Sequence, residues 1–358
     1  MEKEMIKFLC GLVLTAIVPL LLIRQLRKGA VFSGTIENQR KILYSISIIS
    51  ISVISAVNQN SEILMGTLIG CAIFQLLAIC GVNKLNTVGN HKEGLSVNKS
   101  QYLIFCAILL LFLSADYLLR GKSVENILNQ IDGGILIFLF FIYFYFTYWR
   151  RKDAEEFIKT LTNALNIRKN SLKKSKDSPK KTAVRPASKK VLIEIIFYFL
   201  LAVIIIVGNC LLFEGTSKLG VELKISQYCI GLTLLTWSNN LLGILLESIE
   251  EKEDDRISEE ELPEIEIDDG EALIEEAVEE EERNLENIID GIIFSLTLVL
   301  GVIAVGKPVM IHIYMIYDLI VFGIISILFQ FVSKIDSRLA GSGMATIYIG
   351  FIVYAFIR

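Results

Sequence analysis

Apolar residues along the chain neither alternate nor mark one helix face. They come in ten long, nearly unbroken runs near 5–23, 42–57, 63–82, 102–120, 133–149, 191–213, 226–246, 288–306, 310–331 and 339–357. A helix of about 20 apolar residues spans the roughly 30 Å hydrocarbon core of a bilayer. Each run therefore predicts a membrane-crossing helix, the second being the shortest at about 16 residues. Residues 5–23 are followed by Arg24, Arg27 and Lys28 where a secretory cleavage site needs small residues, so this run reads as the first span. The pattern predicts an all-α polytopic membrane protein.

Composition sharpens the picture. Of 358 residues, 53% are hydrophobic and 21% charged, with a net charge of −4. The charges are blocked. Residues 150–190 hold 14 Lys/Arg against 4 Asp/Glu, and residues 247–290 hold 3 against 22. Two strongly charged loops inside an apolar chain exclude a soluble enzyme fold and a nucleic-acid partner. Lys and Arg in short loops mark the cytoplasmic side. The 24–41 and 83–101 loops are basic, the latter through Lys84, Lys92 and Lys99, whereas 58–62 has no basic residue and 121–132 only Lys122. Ten spans with both termini outside satisfy this bias. Both charged loops then face the cytoplasm.

The halves repeat. Ile73-Phe74-Gln75-Leu76 in the third run matches Ile293-Phe294-Ser295-Leu296 in the eighth, and each phenylalanine is followed seven residues later by a glycine, Gly81 or Gly301. Two five-span halves have opposite orientations because five is odd. The expected fold is about ten transmembrane helices as two inverted five-helix repeats, the plan of secondary transporters with a midplane site. The expected units are 1–149, with a paired motif over 42–82, and 191–358, with a paired motif over 226–306. The basic 150–190 loop separates them, and the acidic 247–287 loop interrupts the second.

A polar residue in the hydrocarbon core is costly unless paired. In the seventh run Thr233, Thr236, Asn240, Gly243 and Glu247 fall on one helical face, with Asn239 at its edge. Hydroxyl and amide oxygens suit hard cations, but the same residues also glue membrane helices together. Gln75 and Ser295 hold matching places in the third and eighth runs. The serines Ser45, Ser52 and Ser55 share a face of the second run and read as packing. Asp116 and Glu194 lie near span ends. Asp290 opens the eighth run. Asp318 is deep if the ninth span starts at 310 and nearly interfacial if it starts at 315, with His312 beside it. The six cysteines form no C-x-x-C pair, and with only two histidines no metal cofactor or other cofactor is expected.

In the acidic loop, aligning Gly270 to the turn glycine of an EF-hand puts Ile265 and Ile267 where carboxylates belong, so that motif fails. The loop reads as a solvated tether or a cation collector. In the basic loop, Phe157, Ile158, Leu161, Leu165 and Ile167 form an amphipathic stretch before a Lys-rich tail, suited to anionic lipid or to the acidic loop. Asn98-Lys99-Ser100 fits a glycosylation sequon but falls on the cytoplasmic side.

These motifs have a familiar order. Ser61-Glu62-Ile63-Leu64-Met65-Gly66-Thr67-Leu68-Ile69-Gly70-Cys71-Ala72-Ile73-Phe74 resembles the third-span part of the first alpha-repeat of the cation/Ca²⁺ exchanger superfamily. Trp237-Ser238-Asn239-Asn240-Leu241-Leu242-Gly243 and Asp290-Gly291-Ile292-Ile293-Phe294-Ser295 resemble its seventh- and eighth-span motifs, nearest the mitochondrial and plant cation/calcium types. The resemblance implies an antiporter exchanging Ca²⁺ or another cation against Na⁺ or H⁺, with ligands from the second, third, seventh and eighth spans. The cations considered are Ca²⁺, Na⁺ and K⁺, and the other partner is membrane lipid. The cation-binding set expected here is Thr233, Thr236, Asn239, Asn240, Gln75 and Ser295. The chain departs from the pattern where charge is needed: Gly243 stands where the seventh-span motif ends on an acid, and 41–55 holds no carboxylate. Glu247 and Asp290 are possible substitutes. A transport-inactive homologue, acting through its charged loops as a scaffold or regulator, is the alternative.

Overall fold

The computed structural model describes residues 2–28, 36–86, 97–114, 126–149, 187–245, 285–332 and 337–357. Among them, nine helices are long and apolar enough to cross a membrane: α1 (Glu2–Arg24), α2 (Gln39–Val57), α3 (Ser61–Leu85), α5 (Gln130–Thr147), α6 (Ile195–Leu223), α7 (Gln227–Leu245), α8 (Leu285–Gly306), α9 (Ile313–Val332) and α10 (Arg338–Ile357). A shorter apolar helix, α4 (Lys99–Ser114), lies between α3 and α5. All ten predicted runs are thus occupied by helices. The helix that contains α6 runs Ala187–Leu223 and so begins inside the predicted basic loop. The amphipathic stretch of that loop, most of the acidic loop, Glu247 and Asp116 lie outside the described residues.

Local signals start these helices where the sequence turns polar. Asn60 caps α3 by accepting from Ile63 N at 2.9 Å, and Ser226 caps α7 by accepting from Cys229 N at 3.2 Å. At α5, Asn129 and Asp132 form a reciprocal capping box. Each device satisfies backbone N–H groups that the first helical turn leaves without partners. Gln59, in the tight α2–α3 turn, takes a left-handed backbone at φ 57°.

Contacts between loops fix which ends lie together. Strands β1 (Ile127–Leu128) and β2 (Val309–Met310) pair antiparallel, joining the α4–α5 and α8–α9 connections. Met310 N donates to Ser61 Oγ at 3.2 Å, and Tyr314 OH donates to Glu62 at 2.6 Å. The α2–α3, α4–α5 and α8–α9 connections therefore share one end of the bundle, as an alternating path requires. His312 is exposed there, stacked on Tyr314 and 3.6 Å from Glu62.

Helix α3 is the centre of the bundle, with 89% of its most apolar stretch buried, against 22% for α5 and 28% for α10. Phe138, Phe199 and Phe331 are 67%, 72% and 61% exposed and form part of an outer apolar surface suited to lipid. The buried side of α3 depends on small residues. A Cβ on Gly66 would lie 2.4 Å from Tyr228 O, and one on Gly231 would lie 2.7 Å from Ile63 O, so α3 and α7 touch backbone to backbone.

The matched glycines do the same across the halves. Gly81 of α3 faces Gly341 of α10, whose Cβ would lie 2.6 Å from Gly81 O. Gly301 of α8 faces Gly133 of α5, whose Cβ would lie 2.6 Å from Gly301 O. The third helix of each half thus packs on the fifth helix of the other. Both copies of the repeated motif also carry a π-turn, at Gln75–Ile79 and Phe294–Val299. A π-turn widens the helix by one residue and re-aims its side chains, and such turns are frequent at functional sites.

Candidate cation site

The site lies where α3 crosses α7. Gly70 lets the helices approach so closely that a Cβ there would lie 2.3 Å from Thr236 Oγ1. This approach brings Gln75 to Asn240: Gln75 Nε2 donates to Asn240 Oδ1 at 3.2 Å. Asn240 Nδ2 in turn donates to Thr236 O at 2.8 Å, with Cys71 Sγ 3.6 Å away. Asn240 therefore has both ends of its amide occupied. Gln75 does not: its Oε1 is buried and accepts no hydrogen bond. The Tyr44 hydroxyl lies among Gln75, Cys71 and Ser295 but makes no hydrogen bond of good geometry. A buried oxygen without a donor costs about 1–3 kcal/mol, which a cation entering beside it would offset.

Gln75 and Asn240 line a cavity of about 250 Å³, whose other walls include Tyr44, Tyr143, Asp290 and Gly291. Arg40 and Lys41 line the same cavity. The open π-turn backbone at Gln75 directs the amide into this space rather than along the helix.

The predicted ligands separate into groups. Gln75 and Asn240 line the cavity, and Thr236 supports Asn240 from behind while bonding Gly231 O at 3.0 Å. Ser295 is fully buried and donates to Ile292 O at 2.9 Å. Thr233 donates to Cys229 O at 2.7 Å and does not reach the cavity wall. Asn239 turns away to α2, where its Oδ1 accepts from Ser47 Oγ at 2.5 Å. Adjacent helical residues point about 100° apart, so the two asparagines serve different neighbours.

That second neighbourhood was not expected. Asn209 of α6, fully buried, donates to Ser47 O at 3.1 Å, Ser47 Oγ at 3.2 Å and Ser50 Oγ at 2.5 Å. Ser47 and Ser50 are thus serines of α2 that hydrogen-bond to α6 and α7. A lone asparagine in the apolar stretch 195–213 was the available signal.

Among the carboxylates, Asp290 does not open α8 but lies in its second described turn. It lines the cavity and accepts hydrogen bonds from Lys99 Nζ at 3.0 Å and from the Tyr143 hydroxyl. Lys99, expected in a loop as a topology marker, is instead buried at the start of α4 and also pairs with Glu286 at 3.0 Å. With α9 starting at Ile313, Asp318 is buried, 1% exposed, and well inside its helix.

The fold defines an all-α polytopic membrane protein. Residues 45–149 match the family model described as sodium/calcium exchanger protein. The fold is shared with the sodium-calcium exchanger NCX_Mj: in crystals soaked with 10 mM Na⁺ and 10 mM Sr²⁺ the TM-score is 0.51 at 17% identity, covering 98% of this chain and 97% of that one. With 10 mM Na⁺ and no Ca²⁺ the values are 0.50 and 16%, covering 98% of both. No curated protein sequence matches significantly. The family match covers residues 45–149 of the 358, and the likeness to NCX_Mj is one of fold.

Proposed function

We propose that the protein is a secondary active cation transporter working as an antiporter by alternating access, with its ion site at the α3–α7 crossing. The observation that carries this reading is Gln75: a buried amide oxygen without a hydrogen-bond donor, on the wall of a cavity, in a π-turn of the most buried helix. Asn240 and Thr236 orient it, and Ser295 sits at the matching place in α8. NCX_Mj is described as a sodium-calcium exchanger undergoing ion exchange and binding-site occlusion, and the shared fold supports the same class of movement here.

The ligands gathered at the crossing are neutral oxygens. They compensate a single charge better than a double one in a low-dielectric site. Na⁺ or K⁺ is the ion this site favours, with Ca²⁺ bound more weakly. The charged loops face the cytoplasm in this reading, and the basic one lies against anionic lipid.

The test is flux into proteoliposomes under Ca²⁺, Na⁺ and K⁺ gradients, comparing wild type with Asn240→Ala. Flux above empty vesicles that falls at least about tenfold in the variant supports the site, since removing the acceptor that orients the Gln75 amide costs more than about 1.4 kcal/mol. No flux from folded protein under any gradient refutes transport. That outcome favours a scaffold or regulator, the reading motivated by the absence of carboxylates from 41–57 and 226–246.

A further inference from the structure

The buried asparagine of α6 bears on the geometry of the ion site although it does not line the cavity. Close backbone packing seats α6 on α1: a Cβ on Gly208 would lie 2.7 Å from Thr15 Cγ2, and one on Gly11 would lie 2.7 Å from Leu212 N. Asn209, next to Gly208, is fully buried, and its Oδ1 accepts no hydrogen bond. Its Nδ2 faces three oxygens of α2: Ser47 O at 3.1 Å, Ser47 Oγ at 3.2 Å and Ser50 Oγ at 2.5 Å. The amide therefore acts on α2 alone. Ser47 passes the contact on. With Nδ2 donating to its Oγ, its own hydroxyl hydrogen goes to Asn239 Oδ1 at 2.5 Å.

Asn239 precedes Asn240, whose Oδ1 holds the Gln75 amide at 3.2 Å. The α3–α7 seam at Gly66, Gly70 and Gly231 gives close contact without direction. How α7 is turned about its axis depends instead on side-chain bonds. Two lie beside the site: Trp237 Nε1 donates to Tyr348 OH at 2.9 Å, and Ser47 donates to Asn239. A rotation of about 10° moves a side-chain tip about 6 Å from a helix axis by about 1 Å. That is about twice the 0.5 Å tolerance of a preorganised site, and it carries Asn240 Oδ1 away from Gln75. We propose that Asn209 is a positioning residue for the ion site: acting through Ser47 and Asn239, it sets the rotation of α7 and hence the Gln75–Asn240 pair. This inference rests on the cation-transport reading and adds to it a residue of α6.

The experiment measures flux into proteoliposomes of purified full-length protein, using whichever of Ca²⁺, Na⁺ or K⁺ the wild type carries fastest. Half-saturating concentration and maximal rate are read separately, and unfolding midpoints are recorded on the same preparations. Asn209→Ala and Ser47→Ala should each raise the half-saturating concentration about fivefold, the factor equivalent to one net hydrogen bond of about 1 kcal/mol. Ser50→Ala is the control. It takes a partner from Asn209 yet leaves the chain from Asn209 through Ser47 to Asn239 intact. It should lower the midpoint and leave half-saturation within about twofold of wild type. Asn209→Ala/Asn239→Ala should match Asn239→Ala alone within about twofold, because both residues act through one chain.

Half-saturation unmoved in either Asn209→Ala or Ser47→Ala, when folded, overturns the inference. An equal shift in Ser50→Ala does so too, since the effect then follows stability rather than position, as does a double variant whose effect is the product of its two singles. If Asn209→Ala does not fold, Ser47→Ala decides, because it keeps the bond from Asn209 to Ser50. Failure of both to fold makes Asn209 a clamp between α6 and α2 and overturns the inference equally. Absence of flux from folded wild type refutes transport and this inference with it, whereas wild-type flux with unmoved half-saturation in the variants sinks only this inference.

Discussion

Gly133→Ala offers a sharp probe of how the two halves interlock. A Cβ at Gly133 would lie 2.6 Å from Gly301 O, 2.8 Å from Val305 N and 3.0 Å from the Ala304 Cβ. The first two neighbours are backbone atoms of α8, which cannot rotate away. Reaching even 3.0 Å from the carbonyl oxygen requires α5 and α8 to separate by about 0.4 Å, and ordinary contact requires about twice that. Overpacking of this kind costs about 1–3 kcal/mol, and separation would also loosen neighbouring contacts such as Phe140 on Phe294. Gly134→Ala is the internal control. Nothing lies within 4 Å of a Cβ there, and Ala is the better helix former by about 1 kcal/mol. Unfolding midpoints of the two variants in the same detergent should therefore move in opposite directions, Gly133→Ala down and Gly134→Ala level or up. Equal midpoints would show that α5 and α8 do not meet through these glycines.

Two further predictions test polar contacts. Asn209→Ala removes the donor shared by Ser47 and Ser50 and should lower stability by about 1–2 kcal/mol in the same unfolding assay, within the range for buried hydrogen bonds in membrane helices; an unchanged midpoint would remove α6 from the polar network. Tyr314→Phe deletes the 2.6 Å bond to Glu62 and should cost about 1.5–3 kcal/mol, as for a hydrogen bond to a charged group. If Glu62→Gln destabilises the Tyr314→Phe background as much as it does wild type, the two residues do not interact.

The ten helices were legible because a membrane span is a matter of apolar length, and length is plain in a sequence. The repeat was legible too: Gly81 and Gly301 were visible as matched positions, and both prove to be contact points between helices. Side-chain direction was less so. A 100° helical wheel put Thr233 and Asn240 on one face, but the π-turn at Gly231–Leu235 adds a residue to the turn between them and shifts the register. Lys99 was misread because a lysine between apolar runs counts as a loop residue in any orientation rule, whereas its carboxylate partners lie 187 and 191 positions further on. Asn209 went unnoticed although it interrupts an apolar stretch, since its serine partners lie four helices earlier.

The crossed glycine contacts also constrain how the molecule is made. Gly81 and Gly341 are 260 positions apart in the chain. At roughly 5–20 residues per second, α3 waits on the order of 13–52 s for the helix that closes its far end. Throughout that interval a surface built for contact with another backbone faces lipid. Helix α5 waits in the same way for α8. The first half therefore emerges as a set of helices whose contact surfaces wait for partners in the second half.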